Sequence, residues 1–144
     1  MKCTLVIDNN TEEEIKIFAH KKTPLIERII ALAEGDEQVL VGKKDKMLYR
    51  IGTDEVVCFV SEGNKVFAVT DTDKLEIDKR LYELEKMYPD CFVRINQSCL
   101  ANISKIKSFD ASIMGTLVVN FKNGLRDYVS RRQMKTVKER LMRK

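Results

Sequence analysis

The chain has 144 residues, 44% of them hydrophobic and 33% charged, with a formal net charge of +4. That length suits one domain, or one domain with a small appendage, and the composition is ordinary for a globular chain. No run is long and apolar enough to be read as a membrane helix, and the Met1-Lys2-Cys3-Thr4-Leu5 start lacks a leader pattern, so a cytoplasmic protein is expected.

In chain order, Cys3–Ile7 reads as a strand, Asp8-Asn9-Asn10 as turn chemistry, and Glu14–Phe18 as a second strand. Thr23 is a good N-cap with Pro24 behind it, where the missing N–H costs nothing. Leu25, Ile26, Ile29, Ile30 and Ala33 then make one apolar stripe, Gly35 can end the helix, and Gln38–Gly42 returns as a strand. Residues 1–42 therefore read as a small β-β-α-β extension, which offers an oligomerisation or partner surface.

From Lys43 onward the pattern is short strands at Met47–Ile51, Glu55–Val60, Lys65–Thr70 and Lys74–Ile77, with Gly63 free to take positive φ in the loop before Lys65. Asp78 can cap a short helix whose Leu81, Leu84 and Tyr88 share a face and which Pro89 stops. Phe92–Ile95 is extended. Asn96 to Ser104 carries too many polar residues at irregular spacing for a buried strand. Thr116–Phe121 and Leu125–Val129 flank Asn123-Gly124, a strong hairpin signal. Ser130 and Gln133 then form a capping-box pattern ahead of a helix whose Met134, Val137 and Leu141 share one stripe. The fold class is α+β, mainly β, with three short helices.

Charge is distributed unevenly. Residues 1–42 hold 5 basic and 8 acidic side chains (−3), residues 43–90 hold 9 and 11 (−2), and residues 91–144 hold 12 and 3 (+9). A one-sided positive field attracts phosphates and releases their counterions, although a basic face can also be merely solvated. Arg131 and Arg132 occupy the first turn of the last helix, at the positive end of its dipole, where cations are disfavoured. They fit there if the helix end meets an anion. Asn96, Gln97, Ser98 and Asn102 cluster near Arg94 and Lys105, and amide and guanidinium groups can read base edges. Asn102, set between apolar residues, is equally able to satisfy backbone groups in its own turn.

Cys3, Cys58, Cys91 and Cys99 show no C-x-x-C pairing, and His20 is the single histidine, so no metal site or cofactor is expected. No nucleophile and base are nominated, no G-x-S-x-G is present and no glycine loop cradles phosphate, so an enzyme is not expected. The aromatics mostly alternate into core positions, which leaves an RNA-stacking platform without exposed rings.

The segment Phe92-Val93-Arg94-Ile95-Asn96-Gln97-Ser98-Cys99-Leu100-Ala101-Asn102, joined to Tyr128-Val129-Ser130-Arg131-Arg132, resembles the LytTR family of bacterial DNA-binding domains over residues 43–144. The family pattern runs aromatic-x-Arg-hydrophobic-His-x-Ser-aromatic-x-x-Asn, then a hairpin, then Ser-Arg before a final helix. Asn96 replaces the usual His, Cys99 a common aromatic, and Ala101 the usual Val. The resemblance implies a transcriptional regulator whose loops, rather than a recognition helix, enter the major groove of double-stranded DNA. Carried over by position, Asn64, Gln97 and Arg132 would contact bases. Lys65, Arg94, Ser98, Lys105, Ser130 and Arg131 would contact the backbone. Family sites are commonly paired repeats, which implies a homodimer on DNA. Many members carry a phosphoacceptor receiver in front; residues 1–42 are too short for one, so a stand-alone member is expected, encoded beside a membrane protein that is a candidate partner. A small-molecule substrate is not expected. The alternative is a protein-interaction module of the same fold that acts without DNA.

Overall fold

A computed structural model describes residues 2–33, 40–112 and 115–141. The chain divides into two units, Met1–Glu37 and Gln38–Lys144.

In the first unit the one regular element among the described residues is helix α1, Pro24–Ala33. Thr23 caps it, its Oγ1 accepting from the Ile26 N–H at 3.3 Å. The turn at Asp8 also forms, with the Asn10 N–H donating to Asp8 Oδ1 at 2.9 Å. The strands expected at residues 3–7 and 14–18 do not form, and Leu5, Val6, Ile7 and Phe18 stay exposed. A strand's apolar pattern alone does not supply the neighbouring strand its backbone needs. Gly35 lies outside the described residues.

The second unit holds ten strands among its described residues, in two antiparallel sheets. The larger runs in the order β2-β1-β5-β4-β3-β7-β6, and the smaller β10-β9-β8. Their ranges are β1 Leu40–Lys44, β2 Met47–Ile51, β3 Cys58–Glu62, β4 Lys65–Val69, β5 Lys74–Ile77, β6 Phe92–Asn96, β7 Cys99–Asn102, β8 Ile106–Asp110, β9 Leu117–Phe121 and β10 Arg126–Val129. Helix α2 (Leu81–Met87) precedes β6, and helix α3 (Arg131–Leu141) follows β10.

A boundary at 42/43 would cut through β1. That strand pairs along its whole length with β2 and, at Gly42 and Lys43, with β5, so it belongs to the larger unit and not to a β-β-α-β extension. Asp45 and Lys46, with φ of 51° and 66°, make the two-residue β1–β2 turn. Two positive φ values match the right-handed twist of a hairpin, at a steric cost that Gly or Asn would avoid.

Two cores lie on the larger sheet. Phe59, Phe92 and Leu100 pack with Leu81, Leu84 and Tyr88 of the α2 segment. Cys58, Val93, Ile95, Cys99 and Ala101 pack with Leu117, Val119 and Phe121 of the smaller sheet and Val137 of α3. β7 is therefore buried throughout, between β3 and β6 and with apolar layers on both faces. This overturns the reading of residues 96–104 as non-strand: a strand covered on both faces need not alternate. Its one polar side chain, Asn102, is satisfied. Nδ2 donates to the carbonyls of Thr53 (3.2 Å) and Val56 (2.7 Å), and Oδ1 accepts from the N–H and hydroxyl of Ser104.

α2 begins at Leu81 with Arg80, not Asp78, at the cap position. The Glu83 carboxylate accepts from the Arg80 N–H at 3.2 Å, and the chain leaves the helix at Tyr88, ahead of Pro89.

Candidate nucleic-acid interface

Four segments of the larger unit converge at one end of its main sheet. The β3–β4 turn, Gly63-Asn64, closes the Glu62–Lys65 pair, with Gly63 at φ +61°. The β6–β7 turn, Gln97-Ser98, lies beside it, since the Ser61 N–H donates to the Ser98 carbonyl at 2.8 Å. The segment between β5 and α2 carries Asp78, Lys79 and Arg80. Asn64, Lys65, Lys79, Arg80, Arg94 and Gln97 are among the residues lining one cleft of about 430 Å³. The start of α3 is fixed to the same end, because the Ser130 N–H donates to the Ile95 carbonyl at 2.9 Å.

The β6–β7 turn is built in an unusual way. Two-residue hairpin turns favour positive φ, yet neither Gln97 nor Ser98 has it. Side chains hold the turn instead. Asn96 Oδ1 accepts from the Ser98 N–H at 2.8 Å, an Asx turn, and the register shifts between Arg94 and Asn96. The Arg94 guanidinium donates through Nε to the Asn96 carbonyl (3.1 Å) and through an Nη to the Gln97 carbonyl (2.9 Å), with Glu85 3.9 Å away. Asn96 Nδ2 donates across to the Tyr128 carbonyl (2.9 Å) and to Asp127 Oδ1 (3.1 Å) on β10. The buried Asn96 therefore ties the turn to the strand that delivers Ser130, Arg131 and Arg132. Sequence reasoning grouped Asn96 with the binding amides; its burial and its full set of partners make it a positioning residue.

Among the described residues the side chains of Asn64, Gln97, Ser98, Arg131 and Arg132 are exposed and have no hydrogen-bond or ion-pair partner. These are free donors and acceptors presented from three segments. Ser130 is more constrained. Its Oγ accepts from the Gln133 N–H at 3.4 Å, a long contact. Its own N–H goes to Ile95 and not to Gln133, so the expected reciprocal capping box is not made.

Three expected phosphate ligands stand differently from the expectation. Lys65 is exposed but paired with Glu76 at 3.3 Å. Arg94 is occupied in holding the turn. Lys105 lies at the other end of the sheet: Cys99 pairs with Val60 but Ala101 with Cys58, and the chain continues through Asn102 before reaching it. Four strand steps of ~3.3 Å place that end roughly 13 Å from the β3–β4 turn. There Lys105 shares a recess with Asp54, Glu55, Asp71 and Asp73, and its carbonyl accepts from the Lys122 N–H. Position in the sequence suggested a nearby cation, but the return of the chain along β7 carries Lys105 away. Lys79 and Arg80 are the cations that sequence reasoning missed. No periodicity marks them, and only pairing β5 next to β4 puts them beside Asn64.

At the far end of α3, Arg140 donates to the carbonyls of Phe92 (2.7 Å) and Pro89 (2.6 Å), so the helix runs back along β6 with its start held at the turn.

Comparison with known proteins shows the family. The LytTr DNA-binding domain family matches residues 46–142. The chain belongs to that family. An uncharacterized HTH-type transcriptional regulator of Staphylococcus aureus strain NCTC 8325 is 36% identical over 144 residues, covering 98% of each chain. Its counterpart in strain MSSA476 is 35% identical over the same coverage. In structure, the LytTr domain of a protein titled a methyl-accepting/DNA response regulator from Bacillus cereus superposes with a TM-score of 0.69. It is 21% identical and covers 73% of this chain and 97% of that one, a likeness of fold. The relatives' names speak of a helix-turn-helix type. Among the described residues of this LytTR member no two helices follow each other across a short turn, since strands separate α1 from α2 and α2 from α3.

Proposed function

We infer that this chain is a cytoplasmic, sequence-specific regulator of transcription that binds double-stranded DNA through the end of the sheet where Asn64, Gln97 and Arg132 converge. The observation that carries this reading is the set of exposed, unpartnered polar side chains on three segments that internal hydrogen bonds hold together. In the proposed assignment Asn64, Gln97 and Arg132 meet base edges, while Ser98, Ser130, Arg131 and Lys65, once released from Glu76, meet phosphates. Arg94 acts by holding the turn, and Lys105 lies outside the contact surface.

Selection of bound sequences from a random duplex pool, followed by a salt titration, tests this. A defined site should emerge, and log affinity should fall linearly with log salt, by roughly 0.9 per phosphate contacted. A pool that stays random, with affinity flat between low and moderate salt, would leave the protein-interaction alternative standing.

The proposed assembly is two protomers on paired repeats, with the exposed apolar side chains of residues 2–20 as a surface for oligomerisation or for a membrane-protein partner. Ile7→Glu and Phe18→Glu in the full chain should weaken occupancy of a paired site more than that of a single site. Equal losses at both would count against the assembly.

A further inference from the structure

We propose that the segment between β5 and α2 is a further DNA-contacting element, in which Lys79 and Arg80 neutralise backbone phosphates beside the bases met by Asn64 and Gln97. The inference rests on the DNA-binding reading of the same cleft. Among the described residues, four cations line that cleft. Two are engaged within the fold: Lys65 pairs with Glu76 at 3.3 Å, and the Arg94 guanidinium donates to two turn carbonyls. The other two, Lys79 and Arg80, are exposed and have no ion pair among the described residues. The positive charge that the cleft can offer a polyanion without breaking an internal contact therefore comes from this segment. Asp78 and Glu83 stand on the same wall and offset part of it, but the Glu83 carboxylate is turned to the Arg80 N–H.

Geometry supports the assignment as well. β5 lies next to β4 in the sheet, with Val66 opposite Ile77, so the residues that follow Ile77 leave the sheet at the same end as the β3–β4 turn that precedes Val66. A base-reading side chain at Asn64 needs the sugar-phosphate rail beside it to be held. Backbone contacts fix register while base contacts specify, and an exposed lysine and a guanidinium fork are suited to the first task.

The experiment is a salt titration of the full chain on the duplex that the wild type enriches from a random pool, alongside the same titration on a scrambled duplex. Lys79→Ala with Arg80→Ala should weaken both duplexes by a similar factor and reduce the salt slope by about two units, one per cation. Lys79→Gln with Arg80→Gln, which keeps the aliphatic stems, should do the same. Lys105→Ala, at the opposite end of the sheet, should leave the slope unchanged. Melting curves confirm that each variant is folded; neither substitution touches the backbone N–H that Glu83 accepts. If the wild type binds with a normal salt slope and both double variants match it in slope and affinity, the segment makes no phosphate contact and the proposal is overturned. If the wild type itself enriches no sequence and shows no salt dependence, the DNA-binding reading falls, and this proposal falls with it.

Discussion

Asn96 Nδ2 donates to the Tyr128 carbonyl at 2.9 Å, joining two segments that are 32 residues apart in sequence. One carries Gln97 and Ser98, and the other leads into Ser130, Arg131 and Arg132. With Oδ1 accepting from Ser98 and the second amide hydrogen directed at Asp127, this buried side chain has a partner on each of its polar atoms. This buried amide thus ties the two presented segments together, alongside the Ser130 N–H bond to the Ile95 carbonyl.

Replacing Asn96 with Ala should cost about 1–3 kcal/mol, because the Ser98 N–H and the Tyr128 carbonyl lose a part-buried partner. Asn96→Asp should be worse than Ala, since it sets a carboxylate against both a carbonyl oxygen and Asp127. Asn96→His, the residue usual at this position in the resembled pattern, supplies one acceptor and one donor and should retain most of the stability. Urea denaturation of the three variants gives the order. Histidine proving as damaging as alanine would show that the amide acts through its shape and not its hydrogen bonds.

The elements legible in the sequence were those with local signals: α1 with its Thr23 cap, the strands at residues 47–51 and 74–77, the Asn123-Gly124 hairpin, and the α3 stripe. β7 was not legible, because burial on both faces removes alternation and Asn102 looks like a loop residue until the carbonyls of Thr53 and Val56 are known. β8 was also missed: Ile106-Lys107-Ser108-Phe109-Asp110 has only two strongly apolar residues, and its register with β9 slips between Ile106 and Ser108. The site shows the same division. The exposed Gln97 and Arg132 came from motif position. Which cations are free and which are engaged depends on contacts such as Lys65–Glu76 and Arg94 with its two carbonyls, and no spacing encodes those.

Gly42 tests the placement of β1 within the main sheet. It is buried, and a Cβ there would lie 2.5 Å from Ile51 Cδ1 and 2.7 Å from Leu75 Cβ. The Ile51 tip can rotate away, but Leu75 Cβ is fixed to the β5 backbone. Gly42→Ala should therefore destabilise by about 1–3 kcal/mol despite alanine's better chain entropy. A thermal melt at or above the wild-type midpoint would mean that β1 does not pack against β5 as described.

Thiol reactivity separates the four cysteines. Cys58 and Cys99 are buried in one core, and the neighbouring Cys58 thiol, together with burial, pushes the Cys99 thiol far above its ordinary range. Both sulfurs are shut away from solvent and the thiolate of Cys99 is further disfavoured, so neither should react with a thiol reagent at neutral pH while the protein is folded. Cys3 is exposed and should react first, with the half-buried Cys91 slower. Timed labelling with mass analysis reads this directly. Rapid modification of Cys99 in the native protein would show that the second core opens on the labelling timescale.

Arg131 and Arg132 are adjacent, exposed and free, yet they should behave differently on DNA. Arg132 stands one residue further into α3, where its planar fork can extend into a groove and take a guanine through O6 and N7. Arg132→Ala should cost about 1–3 kcal/mol on the preferred duplex and relax preference at one base position. The Arg131 guanidinium lies beside Gly115 in the segment before β9. Arg131→Ala should weaken cognate and scrambled duplexes alike and lower the salt slope by about one unit. Arg132→Lys keeps the charge without the fork, so non-specific affinity should survive while discrimination is lost. Both positions oppose the helix dipole, so neither alanine variant should lower the melting midpoint. If Arg132→Ala reduces both affinities equally, Arg132 is a phosphate contact. If it destabilises the fold by more than about 1 kcal/mol, it is a structural residue. Either result would remove it from base recognition and leave Asn64 and Gln97 as the readers.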